Sequence, residues 1–291
     1  MPKNRFSIDL LQLNFALFLI STSGVLGRYI NTPVPITICI RAALAVGILF
    51  VFCKIRHINL TIQKKDRKTV FLGGVFLCLH WLSYFYALQL SNVAIGMLSL
   101  FTFPVITAII EPFITKTNFS IVHLLMSVLI LLGIYFLVPE FNLENDHFIA
   151  VGSGIVSAFC YAMRNILLKT KVAKYDSSAL MFYQLMITAI VLSPSLFLLN
   201  NSMVVAFLPA TLLLAFVTTA LGHTLFLYSL KKFSTITASI MSGAQPIYGI
   251  IGGMIFLNEQ LTQNILIGGS IILLTVFIES IRMFWHSEKS L

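Results

Sequence analysis

Acidic residues are scarce in this chain: ten Asp and Glu stand against nineteen Lys and Arg in 291 residues. Charged residues make up only 10% of the chain, where a soluble domain carries roughly a quarter, which argues against a large soluble core. Carboxylates within apolar runs are almost absent, so there is no aspartate cluster for a Mg²⁺-dependent transfer of lipid phosphate. HExxH, GxSxG and Walker-type loops are missing as well. The four cysteines (Cys39, Cys53, Cys78 and Cys160) lie in or beside apolar runs without CxxC spacing. They imply no disulfide or zinc framework and behave as small hydrophobes. No enzyme, no metal and no cofactor is expected.

Lys and Arg are also missing from every second polar break. They cluster at Lys3/Arg5, Lys54–Lys68, Lys116, Lys169–Lys174, Lys231/Lys232 and Arg282/Lys289. The breaks near Thr32, Leu90, Glu140, Asn200 and Asn258 carry none in the linker. A chain that crosses a bilayer repeatedly shows this alternation under the positive-inside rule. The net charge of +9 is therefore spread over the loops of one face, which points to anionic headgroups and not to nucleic acid.

What is present is apolar: 58% hydrophobic residues and a mean hydropathy of +0.95. With about 20 residues per helical span, the sequence predicts ten: Leu10–Ile30, Pro35–Phe52, Thr69–Gln89, Ser91–Phe113, Ile121–Val138, Phe148–Leu168, Ser178–Leu199, Val204–Tyr228, Ser234–Leu257 and Gln263–Met283. The runs are continuous and do not alternate, which excludes a membrane β-barrel. Lys3 and Arg5 before the first run imitate a signal peptide. The run, however, is as long as a span and no small-residue cleavage site closes it, so a retained first helix is expected. Ten spans with basic ends put both termini in the cytoplasm, and Glu140, Glu144, Asp146 and Glu259 on the opposite face.

The chain also repeats itself. One ungapped offset places Pro104 on Pro246, Tyr86 on Tyr228, Leu88 on Leu230, Ala16 on Ala158, Leu26 on Leu168, and Leu131–Leu132 on Leu273–Leu274. Five spans per half is an odd number, so the halves, 7–139 and 147–284, enter the membrane in opposite senses. Secondary transporters use such inverted repeats, with substrate between the halves near the midplane.

Several polar residues sit within spans. Arg41 at membrane depth either faces a cavity or a partner or snorkels to the headgroups, and the residues alone leave both readings open. Arg28 reads as interfacial, and Arg164 as near enough to a span end to snorkel. His80, Trp81 and Tyr84 interrupt the third span, His80 and Tyr84 sharing one helix face. His223 falls against Trp81 in the repeat and Phe226 against Tyr84. Intramembrane histidines serve either as proton carriers or as neutral residues bonded to a carbonyl. Pro104 and Pro246 predict kinks that free a carbonyl, and the run Ser239, Ser242, Gly243, Gln245 offers hydrogen-bond partners beside the second of them. Packing through small residues is the alternative, as it is for Gly73–Gly74 and Gly268–Gly269. Glu111 and Glu259 read as solvated carboxylates at span ends.

Together these features resemble the EamA-type repeats of the drug/metabolite transporter superfamily. The resemblance is carried by Pro35 with Arg41-Ala42-Ala43, by Pro246, and by Phe256-Leu257-Asn258-Glu259-Gln260-Leu261-Thr262 running into Ile267-Gly268-Gly269. Ile20-Ser21 stands where many members carry Trp-Gly, and Thr117 stands at the first-half counterpart of Glu259. The resemblance implies an all-α integral membrane fold of ten helices in two inverted repeats. It implies a multi-pass permease of the bacterial inner membrane that works by alternating access, commonly as an exporter of amino acids or of zwitterionic and aromatic relatives. An importer of a metabolite or nucleotide derivative and a lipid-modifying enzyme are the alternatives. The expected partners are a small-molecule substrate and the bilayer, and a monomer is compatible with the sequence. The implied pathway residues are Asn14, Ser21, Arg41, His80, Trp81, Tyr84, Thr102, Tyr161, His223, Phe226, Ser242 and Gln245, with Pro104 and Pro246 as hinges.

Overall fold

A computed structural model describes residues 3–116, 121–136, 145–199 and 201–289. Glu140, Glu144 and Thr117, named above, lie outside them. Among the described residues the regular secondary structure is all helical, and the described part of every segment expected to span is mainly helical.

The helices are α1 (Lys3–Tyr29), α2 (Val34–Ile55), α3 (Lys64–Leu90), α4 (Val93–Leu100), α5 (Phe103–Thr115), α6 (Ile121–Tyr135), α7 (Asp146–Val172), α8 (Ser177–Leu192), α9 (Asn201–Leu213), α10 (Thr224–Ser229), α11 (Thr235–Met241), α12 (Ala244–Leu257) and α13 (Gln263–Lys289). A 3₁₀ turn, Ser193–Leu198, extends α8, and a π segment, Leu214–His223, joins α9 to α10. Local chemistry sets several starts. Asn92, Asn145 and Asp176 accept the backbone N–H of Ile95, His147 and Ser178 at 2.8, 2.9 and 2.8 Å, which satisfies donors that a helix start leaves free. Among the described residues, seven segments are long and apolar enough to cross a membrane, with Ala244–Leu257 and Gln263–Thr275 as shorter apolar helices.

Three spans are less regular than the sequence predicts. The fourth divides at Phe101–Thr102 and the ninth at Ser242–Gly243. Pro104 and Pro246 lie just after these breaks, in the first turn of α5 and α12, where a missing N–H costs no helical bond. The prolines thus open new helices and do not kink continuous ones. The eighth span widens into the π segment, a form that recurs at functional sites. The repeat is visible in the backbone too. Lys116 and Asn258 end α5 and α12 in the left-handed conformation, with φ of 57° and 55°, and they are as far apart in sequence as Pro104 and Pro246.

Packing exchanges the two halves. Helix α1 packs on the π segment and α12, while α7 packs on α3, α4 and α5; α2 pairs with α8, and α6 with α13. Glycines permit the closest approaches. A Cβ on Gly74 would meet Ile187 at 2.8 Å, and one on Gly133 would meet the Gly268 carbonyl at 2.8 Å. The polarity is inverted relative to a soluble protein: Phe15, Phe71, Phe113, Leu125 and Phe256 are exposed, while Arg41, His80, Arg164, Gln184 and His223 are buried. An outer surface this apolar suits lipid contact.

Candidate functional site

The π segment, α1, α3, α7, α12 and the α4–α5 break converge on a small closed cavity. Ile20 and Ser23 reach it from α1, and His80, Trp81 and Tyr84 from α3. Leu100, Phe101 and Phe103 flank the break, and Tyr161, His223 and Gln245 complete the wall. Its volume is about 10 Å³, room for one water molecule. No solute of metabolite size enters without movement of the helices.

The wall is a connected set of rings. His80 stacks on Tyr161 with centroids 4.5 Å apart, Tyr161 stacks on Phe226 at 6.0 Å, and Phe103 meets Tyr161 edge-on at 5.0 Å. Trp81 meets His223 at 5.5 Å. Ser157 donates to the carbonyl of His80 at 3.0 Å, and its Oγ pairs with His80 Nδ1 at 2.7 Å. With the hydroxyl proton already engaged, Nδ1 is the donor and Nε2 remains the acceptor nitrogen. His223 Nδ1 and Gln245 Nε2 are buried without a hydrogen-bond partner.

Two cations lie behind this wall. Arg41 is fully buried, and its guanidinium sits 3.8 Å from the centroid of Trp81. Its Nε donates to Thr219 at 2.6 Å and its Nη2 to Thr218 at 3.1 Å, while Nη1 is unpartnered. The π segment presents these consecutive threonines together. Arg164, also fully buried, lies 5.9 Å from Tyr161 and donates to Gln184 at 2.8 Å and Asn165 at 3.0 Å. Neither arginine snorkels, because neighbouring helices supply neutral acceptors in the interior.

Polar contacts join the first half to the second at both ends of this region. At one end the Glu259 carboxylate accepts the Val93 N–H at 3.0 and 3.2 Å and lies 3.8 Å from Arg28, which donates to the Gln89 carbonyl at 2.9 Å. At the other end Asp66 accepts from Lys171 at 2.9 Å, Lys174 at 2.6 Å and the Tyr175 hydroxyl at 2.6 Å. The hydrogen bond to Asp66 holds the Lys174 ammonium above its ordinary lysine value. The expectation of solvated carboxylates is corrected: Glu259 is a half-buried helix cap, and Glu111 is buried within electrostatic reach of Lys169.

Comparison with known proteins decides the family. The EamA-like transporter family model matches residues 9–138 and again 148–281. The chain belongs to the EamA-like transporter family. An "Uncharacterized transporter" of Archaeoglobus fulgidus is 29% identical over 217 residues, covering 75% of this chain and 77% of the relative. A solved structure titled "Crystal structure of protein" superposes with a TM-score of 0.72 at 15% identity, over 93% of this chain and 95% of that one, which establishes the shared fold alone. The chain is thus a multi-pass membrane protein with the EamA, drug/metabolite transporter fold.

Within this EamA fold, six of the residues expected along the pathway meet at the cavity: His80, Trp81, Tyr84, Tyr161, His223 and Gln245. Phe226 and Arg41 stand one ring behind. The remaining four do not line it; each is bonded back to its own helix, as short polar side chains do in apolar runs, and Ser21 lines a separate pocket with Phe18 and Tyr248. Asn14 donates to Leu10 at 3.0 Å, Ser21 to Phe18 at 2.6 Å, Thr102 to Ser99 at 3.0 Å and Ser242 to Ala238 at 2.7 Å. Sequence reasoning missed Ser23, Phe101, Phe103 and Ser157, and also the pair Thr218–Thr219. That pair was readable as adjacent hydroxyls in the middle of an apolar span.

Proposed function

We propose that this EamA-like transporter is a secondary-active carrier, and not an enzyme, that moves small metabolites by alternating access. The solutes are amino acids or related aromatic compounds, and the direction is export across the bacterial inner membrane. The two halves, 7–139 and 147–284, rock about the aromatic cavity. The Asp66 end, which carries the basic loops, faces the cytoplasm together with both termini.

One observation carries this reading. A ring-lined cavity lies where two interrupted spans and a π segment meet, and interhalf contacts shut it at both ends. Release of one set of contacts while the other holds opens the cavity to one side only. Broken helices at the midplane are the usual means by which carriers expose backbone to solute. The rings favour planar or aromatic solutes, and Gln245 and His223 offer hydrogen bonds.

The test is uptake of labelled aromatic amino acids into right-side-out and inverted vesicles under an imposed proton gradient. Export predicts accumulation in the inverted vesicles. Gln245→Ala and Tyr84→Ala reduce the flux while membrane insertion stays normal. Full flux by both variants at normal expression removes the cavity from the pathway.

A further inference from the structure

We infer that the solute group recognised in this cavity is a carboxylate, and that a solute with a carboxylate but no ammonium group binds better than its zwitterionic counterpart. The inference rests on the transport reading above and specifies its substrate class.

The argument starts from an imbalance of buried charge. Arg41 and Arg164 are fully buried and remain protonated at any physiological pH. Their hydrogen-bond partners are all neutral: Thr218 and Thr219 for one, Gln184, Asn165 and Met181 for the other. The carboxylates of the described interior are engaged elsewhere, Asp66 with Lys171 and Lys174, Glu259 with Arg28, and Glu111 near Lys169. Among the described residues, two cations thus stand in the core without a counterion, at a depth where an unpaired charge is costly.

Both cations act on the cavity. Each lies within electrostatic reach of both His80 and His223. Arg41 lies against the back of Trp81, and Arg164 is one ring behind the cavity, beyond Tyr161. In an interior of low dielectric such fields reach across a side-chain layer with little screening. Among the described residues, no Asp or Glu lines the cavity. A carboxylate that enters supplies the missing counter-charge, whereas an ammonium meets repulsion from both guanidiniums and finds no acid to pair with. The aromatic wall accommodates the rest of a planar solute, so the favoured class is an aromatic or heteroaromatic carboxylate.

The test compares four probes that share one ring and differ in charge, with purified full-length protein in nanodiscs at neutral pH: phenylpropionate, phenylalanine, phenylpropanamide and phenethylamine. Binding is read by thermal shift and by Trp81 fluorescence in a Trp285→Phe background. Phenylpropionate is expected to bind about tenfold or more tighter than the amide, phenylalanine between them, and phenethylamine weakest. Arg41→Gln and Arg164→Gln bring the ratio of anion to amide towards one, and Arg41→Lys, which keeps the charge, preserves it if the glutamine variant does not fold. Equal binding of anion and amide, tighter binding of the zwitterion, or an undiminished ratio in both glutamine variants overturns the inference. Gln245→Ala separates the two levels: probes that bind with its help but without charge preference refute the carboxylate reading alone. Probes indifferent to Gln245→Ala, or an absence of binding by all four, refute the cavity reading and this inference with it.

Discussion

The Glu259 carboxylate receives the backbone N–H of Val93 at 3.0 and 3.2 Å, so a residue of the second half caps α4 of the first. An anion at a helix start satisfies free donors and interacts favourably with the helix dipole. The partner Arg28 is 39% exposed and 3.8 Å away, which makes the ion pair the weaker contribution. Glu259→Ala is therefore expected to lower stability by about 1 kcal/mol, and Glu259→Gln, which keeps an acceptor, by less. Thermal unfolding in detergent checks this. An Arg28→Ala loss as large as that of Glu259→Ala would show that the ion pair matters more than the cap.

At the opposite end Asp66 collects Lys171, Lys174 and Tyr175 from the second half. Asp66→Asn removes the charge that holds them. Labelling of a cysteine introduced at Ser23, in a background without native cysteines, is expected to rise from the Asp66 side, and unchanged labelling would show that other contacts close that end. The pH dependence follows from Lys174, whose value is raised by its hydrogen bond to Asp66. A base with a raised folded value contributes its stability below the unfolded value and loses it as pH climbs through the raised one. The closure is thus constant near neutrality with respect to this group and weakens only above the ordinary lysine range.

How far the sequence reached depended on the kind of information asked of it. The helical spans were legible because apolar length acts locally, and proline marked the fourth and ninth spans as irregular for the same reason. The position of each interruption was not, because Pro104 is accepted inside the first turn of α5, which moves the break to Phe101–Thr102. Ring residues such as His80 and Tyr161 stood out in apolar runs, but their stacking joins helices far apart in sequence, which periodicity does not report. Thr102 and Ser242 stood out equally and proved to be satisfied by their own helices. The choice for Arg164 between snorkelling and an interior partner stays open in the sequence for the complementary reason: its acceptor Gln184 comes from α8, and only the fold brings it near.

Gly154 on α7 faces α4 so closely that an added Cβ would stand 1.9 Å from Ser99 Oγ and 2.6 Å from Ser99 Cβ. Ser99 precedes the α4–α5 break, so any accommodation displaces the cavity wall. Gly154→Ala is expected to cost about 1–3 kcal/mol, the usual range for overpacking, and to reduce transport. Gly152→Ala, two residues away with open space around its Cβ, is the control. Equal melting temperatures for the two variants would show that the contact between α4 and α7 relaxes freely.

The last prediction concerns what holds Arg41 in place. Thr219 and Thr218 accept from Nε and Nη2, and Nη1 is unpartnered, so the guanidinium depends on two hydroxyls and the face of Trp81. Thr219→Val keeps shape and volume but leaves Nε buried without an acceptor, at an expected cost of about 1–3 kcal/mol. Thr218→Val costs less, because its bond is longer, 3.1 Å against 2.6 Å. Since the penalty comes from the stranded donor and not from lost packing, Arg41→Gln in the Thr219→Val background recovers part of it. A double-mutant cycle by thermal unfolding measures that coupling. Trp81 emission in the Trp285→Phe background reports whether the guanidinium has left the ring. Additive costs with unchanged emission would show that Arg41 is held by packing and not by the hydroxyls of the π segment.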